Sequence, residues 1–256
     1  MSTPILRTEH LSRSFGGLQA VRDVTISLQP GAFHSIIGPN GAGKTTLFNM
    51  MSGALRPTAG RIFFKERDIT GMPLHRVARL GIGRAYQITS LFPSLPVLEN
   101  VRLAAQAIGD DSFKLWQHSH NLRQYIERAE EVIALVGLSG REQVPARALA
   151  HGDKRKLELA LLLAGDPALL LLDEPTAGMA SGQVPELMGI INELRTSGGR
   201  TIILVEHRMD VVMAVSDRIT VMHQGAVLAE GTPREIAADE QVQQAYLGEL
   251  YQDLTV

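Results

Sequence analysis

Cysteine is absent from the sequence, which excludes disulfide bonds and thiolate metal sites. This absence is compatible with a reducing compartment without proving one. An excess of one charge sign is also missing, because the formal net charge is −2 and no tail is rich in lysine or arginine. A protein whose main task is to coat nucleic acid is therefore not expected.

Long hydrophobic runs are missing too. Residues 1–9 lack an apolar stretch of signal-peptide length, and the most apolar region, residues 157–172, is broken by Glu158, Asp166 and Pro167. We therefore expect a soluble, cytoplasmic protein that would act at a membrane only through other subunits. The 256 residues suit one α/β domain, with or without an inserted lobe, and are too few for two full domains.

The most informative stretch is a glycine-rich loop between a predicted strand, residues 33–37, and a predicted helix, residues 44–51. The loop follows the pattern G-x-x-x-x-G-K-[ST], and a strand, loop and helix in this order is the setting of a phosphate-binding loop. Its glycines let successive N–H groups surround a β-phosphate at a helix N-terminus. The predicted nucleotide contacts are Gly38, Asn40, Gly41, Ala42, Gly43, Lys44, Thr45 and Thr46.

Two side chains of this loop have predicted chemical roles. Lys44 can reach the β- and γ-phosphate oxygens, and Thr45 offers a hydroxyl to Mg²⁺. The alternative is a glycine-rich turn with a surface lysine. Eight matching residues in the right structural setting make that alternative the weaker one.

Residues 3–11 and 20–28 read as strands joined by a Gly16-Gly17 turn. Phe15 lies at this turn, where its ring can stack on an adenine base. A turn aromatic folded back on the sheet is an equal alternative.

Residues 97 to about 165 have helical periodicity. Four apolar residues fall on one helix face, and Gly137 is expected to end that helix; they are Ile126, Ala129, Ile133 and Val136. Residues 149–156 then open an apolar helix with three cations in its first turn, against the helix dipole. Either an external anion approaches this end, or Asp153 and Glu158 offset the charge locally.

Candidate catalytic residues also follow two further predicted strands. Residues 168–172 form an uninterrupted apolar strand followed by Asp173 and Glu174, at the edge where open α/β sheets bind ligands. Given the phosphate loop, Asp173 is expected to hold Mg²⁺ and Glu174 to act as general base toward the attacking water. His207 follows the predicted strand 201–205 at the same edge, where its imidazole can donate to a γ-phosphate oxygen.

These motifs, taken together and in order, resemble ATP-binding cassette (ABC) transporter ATPase subunits over essentially the whole chain. They are the phosphate loop 38–45, Gln87 before the helical region, residues 149–153 in place of the family's L-S-G-G-Q signature, residues 169–174, and His207. The resemblance implies an α/β P-loop NTPase with a RecA-like core, an N-terminal antiparallel β subdomain and an inserted helical subdomain. The expected single domain has its core at about 1–87 and 166–232, its insertion at about 88–165 and C-terminal helices at about 233–256.

The resemblance also implies how the subunit works. Two ATP molecules would be sandwiched in a dimer, each between the phosphate loop of one subunit and the signature of the other. Glu174, His207 and Gln87 would serve hydrolysis, and Thr45, Gln87 and Asp173 would lie at the Mg²⁺. In the opposite site, Ala150, His151 and Gly152 would contact the nucleotide, and the γ-phosphate there would be the anion near the cationic helix start. The loop 91–95 would receive a coupling helix from a membrane subunit.

Within the family, the sequence looks like the larger ATPase of branched-chain amino acid importers. The marks are residues 15–18, 86–87, 91–93, 97–101 and 245–249, together with the long polar insertion at 113–120. The implied partners are two integral membrane permeases, a second ATPase and, indirectly, a periplasmic or extracellular solute-binding protein, with no nucleic acid. The subunit would lie on the inner face of the cell membrane.

Three alternatives stay open. The ATPase of lipopolysaccharide export shares the 246–249 ending, although it generally lacks so long an insertion. A soluble ABC ATPase of translation or DNA repair would be expected to carry two cassettes or a long coiled coil. A P-loop kinase is the third alternative, but it would have no reason to carry the segment 149–156. The solute itself is not fixed, since amides, ureas and aromatic acids also fit.

Three residues depart from the family pattern. Ala150 replaces the signature serine, Asp153 replaces its glutamine, and Ala180 stands where the family has an aspartate. Losing one hydrogen bond to a charged group costs roughly 1.5 to 3 kcal/mol. We therefore hypothesise a heterodimer with unequal ATP sites, while a homodimer remains open.

Overall fold

The structure is a computed structural model that describes residues 3–85, 91–108 and 120–245. Its strands are β1 (Leu6–Phe15), β2 (Leu18–Val24), β3 (Ser27–Leu28), β4 (Phe33–Ile37), β5 (Ala59–Phe64), β6 (Arg67–Asp68), β7 (Ile82–Arg84), β8 (Leu169–Asp173), β9 (Thr201–Val205), β10 (Arg218–His223) and β11 (Ala226–Gly231). Its helices are α1 (Lys44–Met51), α2 (Leu74–Arg79), α3 (Val97–Ile108), α4 (His120–Leu135), α5 (His151–Leu163), α6 (Val184–Thr196), α7 (Met209–Val215) and α8 (Pro233–Ala238).

The first sheet is antiparallel and lies at the N-terminal end of the chain. β1 pairs with β2, β3 and β5, and β5 pairs with β6. The predicted strand 20–28 is two strands instead of one. Asp23 takes a left-handed φ of 51°, which bends the chain so that β2 and β3 pair with opposite ends of β1.

The second sheet is the core of the molecule, with strand order β11-β10-β4-β9-β8-β7. All its neighbouring pairs are parallel except β10 with β11, which form an antiparallel hairpin. The three central strands β4, β8 and β9 are buried at every residue. This burial explains their continuous apolar sequences, since both faces of a parallel sheet are covered.

The two faces of the core sheet pack against different layers. Leu169, Leu171 and Ile203 join a core that includes α1 and the N-terminal sheet. Their neighbours Leu170 and Leu172 face the opposite way, into a core shared with α3, α4, α5 and α6. The period-two alternation of side chains along a strand accounts for this division.

The predicted helical insertion is present in the described residues as α3, α4 and α5. Three residues of the predicted α4 stripe, Ala129, Ile133 and Val136, are buried, and Ile126 is partly buried. Gly137 ends the helical turn with a φ of 70°, as the sequence predicts. The N-terminal antiparallel sheet, the core sheet and the helical part thus match the predicted architecture.

The core sheet determines where functional side chains can meet. β4, β9 and β8 are adjacent and parallel, so the segments that follow them leave at one edge. These segments are the glycine-rich loop, Glu206 with His207, and Glu174 after Asp173. We call residues 38–46, 173–174 and 206–207 the sheet-edge site.

Candidate functional site

The glycine-rich loop bends sharply between β4 and α1. Gly38 has a φ of 150°, and a Cβ atom there would lie 2.2 Å from the carbonyl oxygen of Met222. Gly43 has a φ of 96° and precedes α1; a Cβ there would lie 2.4 Å from the carbonyl oxygen of Ala20. Any larger residue at either position would have to displace backbone.

The amino end of α1 is suited to an anion. Throughout α1, which the structure describes in full, there is no side-chain cap at the amino end and no acidic residue in the first turn. The positive end of the helix dipole and the first-turn amides therefore face the loop without a competing carboxylate. Asn40, Gly41 and Thr45 are exposed, whereas Ala42 is buried and Thr46 is half-buried.

Lys44 is held inside the loop. Its side chain is buried, and its ammonium donates to the carbonyl oxygens of Gly38 at 2.5 Å and Pro39 at 2.9 Å. The charge is therefore fixed at the mouth of the loop by the loop's own backbone.

Asp173, Glu174 and His207 lie at the same sheet edge as this lysine. Nε2 of His207 lies 2.9 Å from Oε1 of Glu174, and both side chains are partly exposed. Glu174 has a left-handed φ of 49°, an uncommon conformation for a residue other than glycine. Its N–H donates to the carbonyl of Val205 at 2.8 Å, which ties it to β9.

Asp173 is the buried carboxylate of the site. Burial raises its pKa, and the charge of Glu174 raises it further, whereas Arg84, Lys44 and His207 act in the opposite direction. Its Oδ2 lies 3.9 Å from Nη2 of Arg84, and its Oδ1 has no hydrogen-bond partner among the described residues. A buried, unsatisfied carboxylate oxygen fits a hydrated divalent cation.

The described residues contain no group of three or more His, Cys, Asp or Glu side chains that could hold a metal ion by themselves. A cation at Asp173 would therefore need other oxygen ligands. The hydroxyl of Thr45 and phosphate oxygens are the suitable donors, because Mg²⁺ is usually bound by few protein groups together with phosphates.

Sequence reasoning missed Arg84, the last residue of β7, whose side chain lies beside Asp173. Its Nη1 donates to Oδ1 of Asn49 at 2.6 Å and to Oγ of Ser52 at 2.8 Å, so one side chain links β7, α1 and Asp173. It also missed Glu206 and its partner Thr176, thirty positions earlier in the chain. No local pattern could have identified them, because their partners are brought close only by the sheet.

Phe15 lies at the β1–β2 turn and is 46% exposed. The guanidinium carbon of Arg13 lies 4.6 Å from the ring centroid, a cation–π distance. The ring is therefore not buried on the sheet, and its stacking on adenine stays a prediction.

Residues 150–156, which we call the α5 start, lie in the helical part. Ala150 is the N-cap residue of α5 and provides no side-chain cap. His151 is exposed and lies near Gly178, and the buried Gly152 lies against the side chain of Gln183. α5 packs on α3 and α4, whereas α1 packs on β2 and β8.

Two of the three cations of the α5 start have local carboxylate partners, and the approach of an external anion to this end stays a prediction. Nη1 of Arg155 bonds Oε2 of Glu158 at 2.8 Å, and Nζ of Lys156 bonds Oε1 of Glu186 at 2.6 Å. Glu158 follows Arg155 by three residues, and α6 brings Glu186 to Lys156. Asp153 also pairs with Lys156 at 3.8 Å, so Asp153 and Glu158 both offset charge locally, as the second alternative expects.

Three predicted features fall outside the described residues. They are Gln87 within residues 86–90, residues 113–119 of the polar insertion, and the 246–249 ending. Their roles stay predictions from the sequence.

Fold and site together define a P-loop ATPase: a phosphate loop follows a central parallel strand, with Asp and Glu at the end of a neighbouring strand. Residues 21–177 match the ABC transporter family, and residues 226–251 match the branched-chain amino acid ATP-binding cassette transporter family. The chain belongs to the ABC transporter family as an ATP-binding subunit with the ABC ATPase fold.

Individual relatives match nearly the whole chain. It is 41% identical to the high-affinity branched-chain amino acid transport ATP-binding protein LivG of Salmonella typhimurium, over 97% of this chain and 100% of that protein. It is 39% identical to BraF of Pseudomonas aeruginosa, named as the same type of protein, with the same coverage. Identity to the lipopolysaccharide export system ATP-binding protein LptB of Acidithiobacillus ferridurans is 34%, over 97% and 98% of the two chains.

Solved structures agree with this fold. The crystal structure of a nucleotide-free ATP-binding cassette from an ABC transporter has a TM-score of 0.85 and 30% identity, covering 95% of this chain and 99% of that one. The ADP conformation of another such cassette has a TM-score of 0.83 and 30% identity, covering 96% and 100%. Within residues 3–85, 91–108 and 120–245, no helix combines the length and hydropathy needed to cross a bilayer.

Proposed function

We propose that this chain is the ATP-hydrolysing subunit of an ABC importer for branched-chain or related amino acids. The observation that carries the proposal is the 41% identity to LivG, over 97% of this chain and 100% of that protein. The match of residues 226–251 to a branched-chain amino acid family supports the same solute class. LptB, at 34% identity, supports lipopolysaccharide export less well.

ATP would bind with its phosphates against the backbone amides of residues 38–46 and the ammonium of Lys44. Phe15 would stack on the adenine. Thr45 and Asp173 would hold Mg²⁺, with Gln87 beside it, and the ion when bound neutralises charge on the phosphates. The orphaned oxygen of Asp173 is the structural feature that favours this assignment.

Hydrolysis would use the pair at the end of β8 and β9. Glu174 would accept a proton from the attacking water, and His207, whose Nε2 lies 2.9 Å from Oε1 of Glu174, would turn its N–H to the γ-phosphate as charge develops there. Gln87 would orient the same water. The His207 contact also fixes the direction of the Glu174 carboxylate, so that the base is positioned before the reaction.

The proposed partners are two membrane permeases and a second ATPase, with a solute-binding protein acting indirectly from outside. A groove of about 300 Å³ between α2, β7 and α5 is lined by Leu74, Ala78, Leu161 and other side chains, and Phe92 is 55% exposed. Apolar surface of this kind suits a docked helix of a permease. The subunit would then work at the inner face of the membrane as one ABC ATPase domain.

In the dimer, Ala150, His151 and Gly152 would complete the ATP site of the second subunit. Ala150 has no hydroxyl for a γ-phosphate, and Asp153 is engaged with Arg141 at 3.5 Å and with Lys156. Ala180 likewise has no carboxylate. These three residues support a heterodimer in which the site completed by this chain is the weaker one.

The first experiment is purification of the tagged subunit from gently solubilised membranes, with identification of the accompanying chains by mass. Two permeases with a second, shorter ATPase are expected, and the reconstituted complex should accumulate radiolabelled leucine in vesicles when ATP is present. Recovery of permeases with this ATPase alone would favour an exporter or a homodimer. Recovery of no membrane chain would contradict the transporter proposal in favour of a soluble ABC ATPase.

A further inference from the structure

A buried carboxylate joins the two turns that carry the hydrolytic pair. Glu206 is only 4% exposed. Its Oε1 accepts from the N–H of Thr176 at 3.0 Å and from the Thr176 hydroxyl at 2.5 Å. Its Oε2 accepts from the N–H of His207 at 3.2 Å. A buried charge is tolerated when hydrogen bonds satisfy it, and bonds to a carboxylate are among the stronger ones.

The groups bound by Glu206 flank the proposed hydrolytic residues. Thr176 follows Glu174 by two residues, and His207 is the next residue after Glu206. Glu174 has the unusual φ of 49°, a conformation that persists only where the surroundings enforce it. Two backbone bonds hold its turn, from Glu174 to Val205 at 2.8 Å and from Ala177 to Glu174 at 3.1 Å. Glu206 adds a side-chain link from this turn to His207.

We propose that Glu206 and Thr176 form a clamp that holds Glu174 and His207 in register for ATP hydrolysis. This inference rests on the proposed function, because it takes Glu174 and His207 as the hydrolytic pair. Both clamp residues are positioning residues, since the two carboxylate oxygens of Glu206 already accept hydrogen bonds from Thr176 and His207. Loss of the clamp should therefore lower kcat and leave nucleotide affinity nearly unchanged, because the glycine-rich loop is held by other contacts.

Two substitutions open the clamp at different ends. Glu206→Gln keeps an oxygen for Thr176 but turns an amide N–H₂ toward the N–H of His207. Thr176→Val removes the hydroxyl at nearly constant volume. Each should lower kcat by roughly 10- to 100-fold, as small misplacements of catalytic groups do. KM and the dissociation constant of a fluorescent ATP analogue should stay within about threefold of the wild-type values. A change of that size is smaller than the usual effect of losing one hydrogen bond to the nucleotide.

The conservative variant and the double variant sharpen the test. Thr176→Ser keeps the hydroxyl and should recover most of the rate that Thr176→Val loses. The double variant Glu206→Gln with Thr176→Val should lose far less kcat than the product of the two single fold-losses, because both substitutions disrupt the same interaction.

Thr8→Val in the N-terminal sheet is the matched control. Thr8 is buried, its hydroxyl donates to the carbonyl of Val24 at 3.0 Å, and it accepts from the N–H of Ile26 at 3.1 Å. Its loss should lower the melting temperature and leave kcat unchanged.

Two results would overturn the clamp in an active wild-type chain. One is a kcat of Glu206→Gln within twofold of wild type; the other is a fall in nucleotide binding that parallels the fall in kcat, which would mark a purely structural role. A wild-type preparation, purified with its accompanying membrane chains, that hydrolyses no ATP would instead overturn the proposed function and the clamp with it.

Discussion

The sheet-edge site and the α5 start both carry family motifs, but their side chains have different kinds of partner. At the sheet edge, His207 bonds Glu174 and Lys44 lies beside Asp173, so the functional groups converge within one chain. At the α5 start, Arg155 and Lys156 are paired with nearby carboxylates, and His151 is left exposed. The comparison teaches that the groups proposed for hydrolysis meet within one chain, whereas the α5 start brings together locally paired cations and an exposed histidine.

The largest expected effect concerns the reaction centre. Glu174→Gln should lower ATP hydrolysis by about 10²- to 10⁴-fold, because an amide cannot take the proton of the attacking water. Nucleotide binding should be retained, since Lys44 and the loop amides are unchanged. Single-turnover hydrolysis and equilibrium binding measure the two quantities. Glu130→Gln on the exposed face of α4 is the control, and a loss below tenfold in Glu174→Gln would count against a general base at this edge.

The next effect lies in β4, the strand that carries the glycine-rich loop. His34 is buried with Nε2 2.7 Å from Oγ1 of Thr220, and burial, with a smaller contribution from Arg218, lowers its pKa from 6.5 to about 4. Between pH 6.5 and 4 the unfolded chain binds a proton that the folded chain does not. This group should therefore remove stability as the pH falls through that window, by about 3 kcal/mol in total.

His34→Gln should flatten this dependence, because the amide retains a polar group near Thr220 and does not titrate. Urea unfolding at half-unit pH intervals measures the effect as the difference between wild type and variant. Parallel curves for the two proteins across pH 4 to 6.5 would show that His34 titrates normally in the folded chain.

A smaller effect tests the local pairing at the α5 start. Lys156→Met should lower the free energy of unfolding by roughly 1.5 to 3 kcal/mol, the usual size for a hydrogen bond to a charged group. The hydrolysis rate per folded chain should stay the same, because Lys156 is committed to Asp153 and Glu186. Urea unfolding and ATPase assays of the assembled complex measure both. A large rate loss with unchanged stability would favour the interpretation of an external anion.

The smallest effect restores the family's serine. Ala150 has the extended conformation of an N-cap residue, with φ −61° and ψ 159°, so Ala150→Ser should stabilise the chain by about 1 kcal/mol through a new cap. It should also speed hydrolysis at the site that this chain completes in its partner. Ala148→Ser in the preceding turn is the control. If Ala150→Ser leaves both the stability of the chain and the ATP hydrolysis rate of the complex unchanged, the basis for unequal sites is lost.

Local sequence was sufficient where one strong pattern acted alone. The helix Lys44–Met51 and the strands Phe33–Ile37 and Thr201–Val205 have the predicted bounds, because glycine, apolar runs and turn residues mark their ends. The predicted strand 20–28 was wrong in its continuity, since the left-handed conformation of Asp23 has no clear sequence signal. Arg84 and Glu206 were missed for a different reason, because each acts through residues distant in the chain.

The sequence by itself determined the chemistry of this protein: a loop that can bind phosphate, two carboxylates after a buried strand, and a histidine after another. Only the tertiary structure decided which groups meet. The order β4-β9-β8 places His207 against Glu174 and Glu206 against Thr176, and α6 brings Glu186 to Lys156. The physical reason is that a strand's local pattern encodes its burial but not its neighbours, which depend on how the whole sheet packs between its two cores.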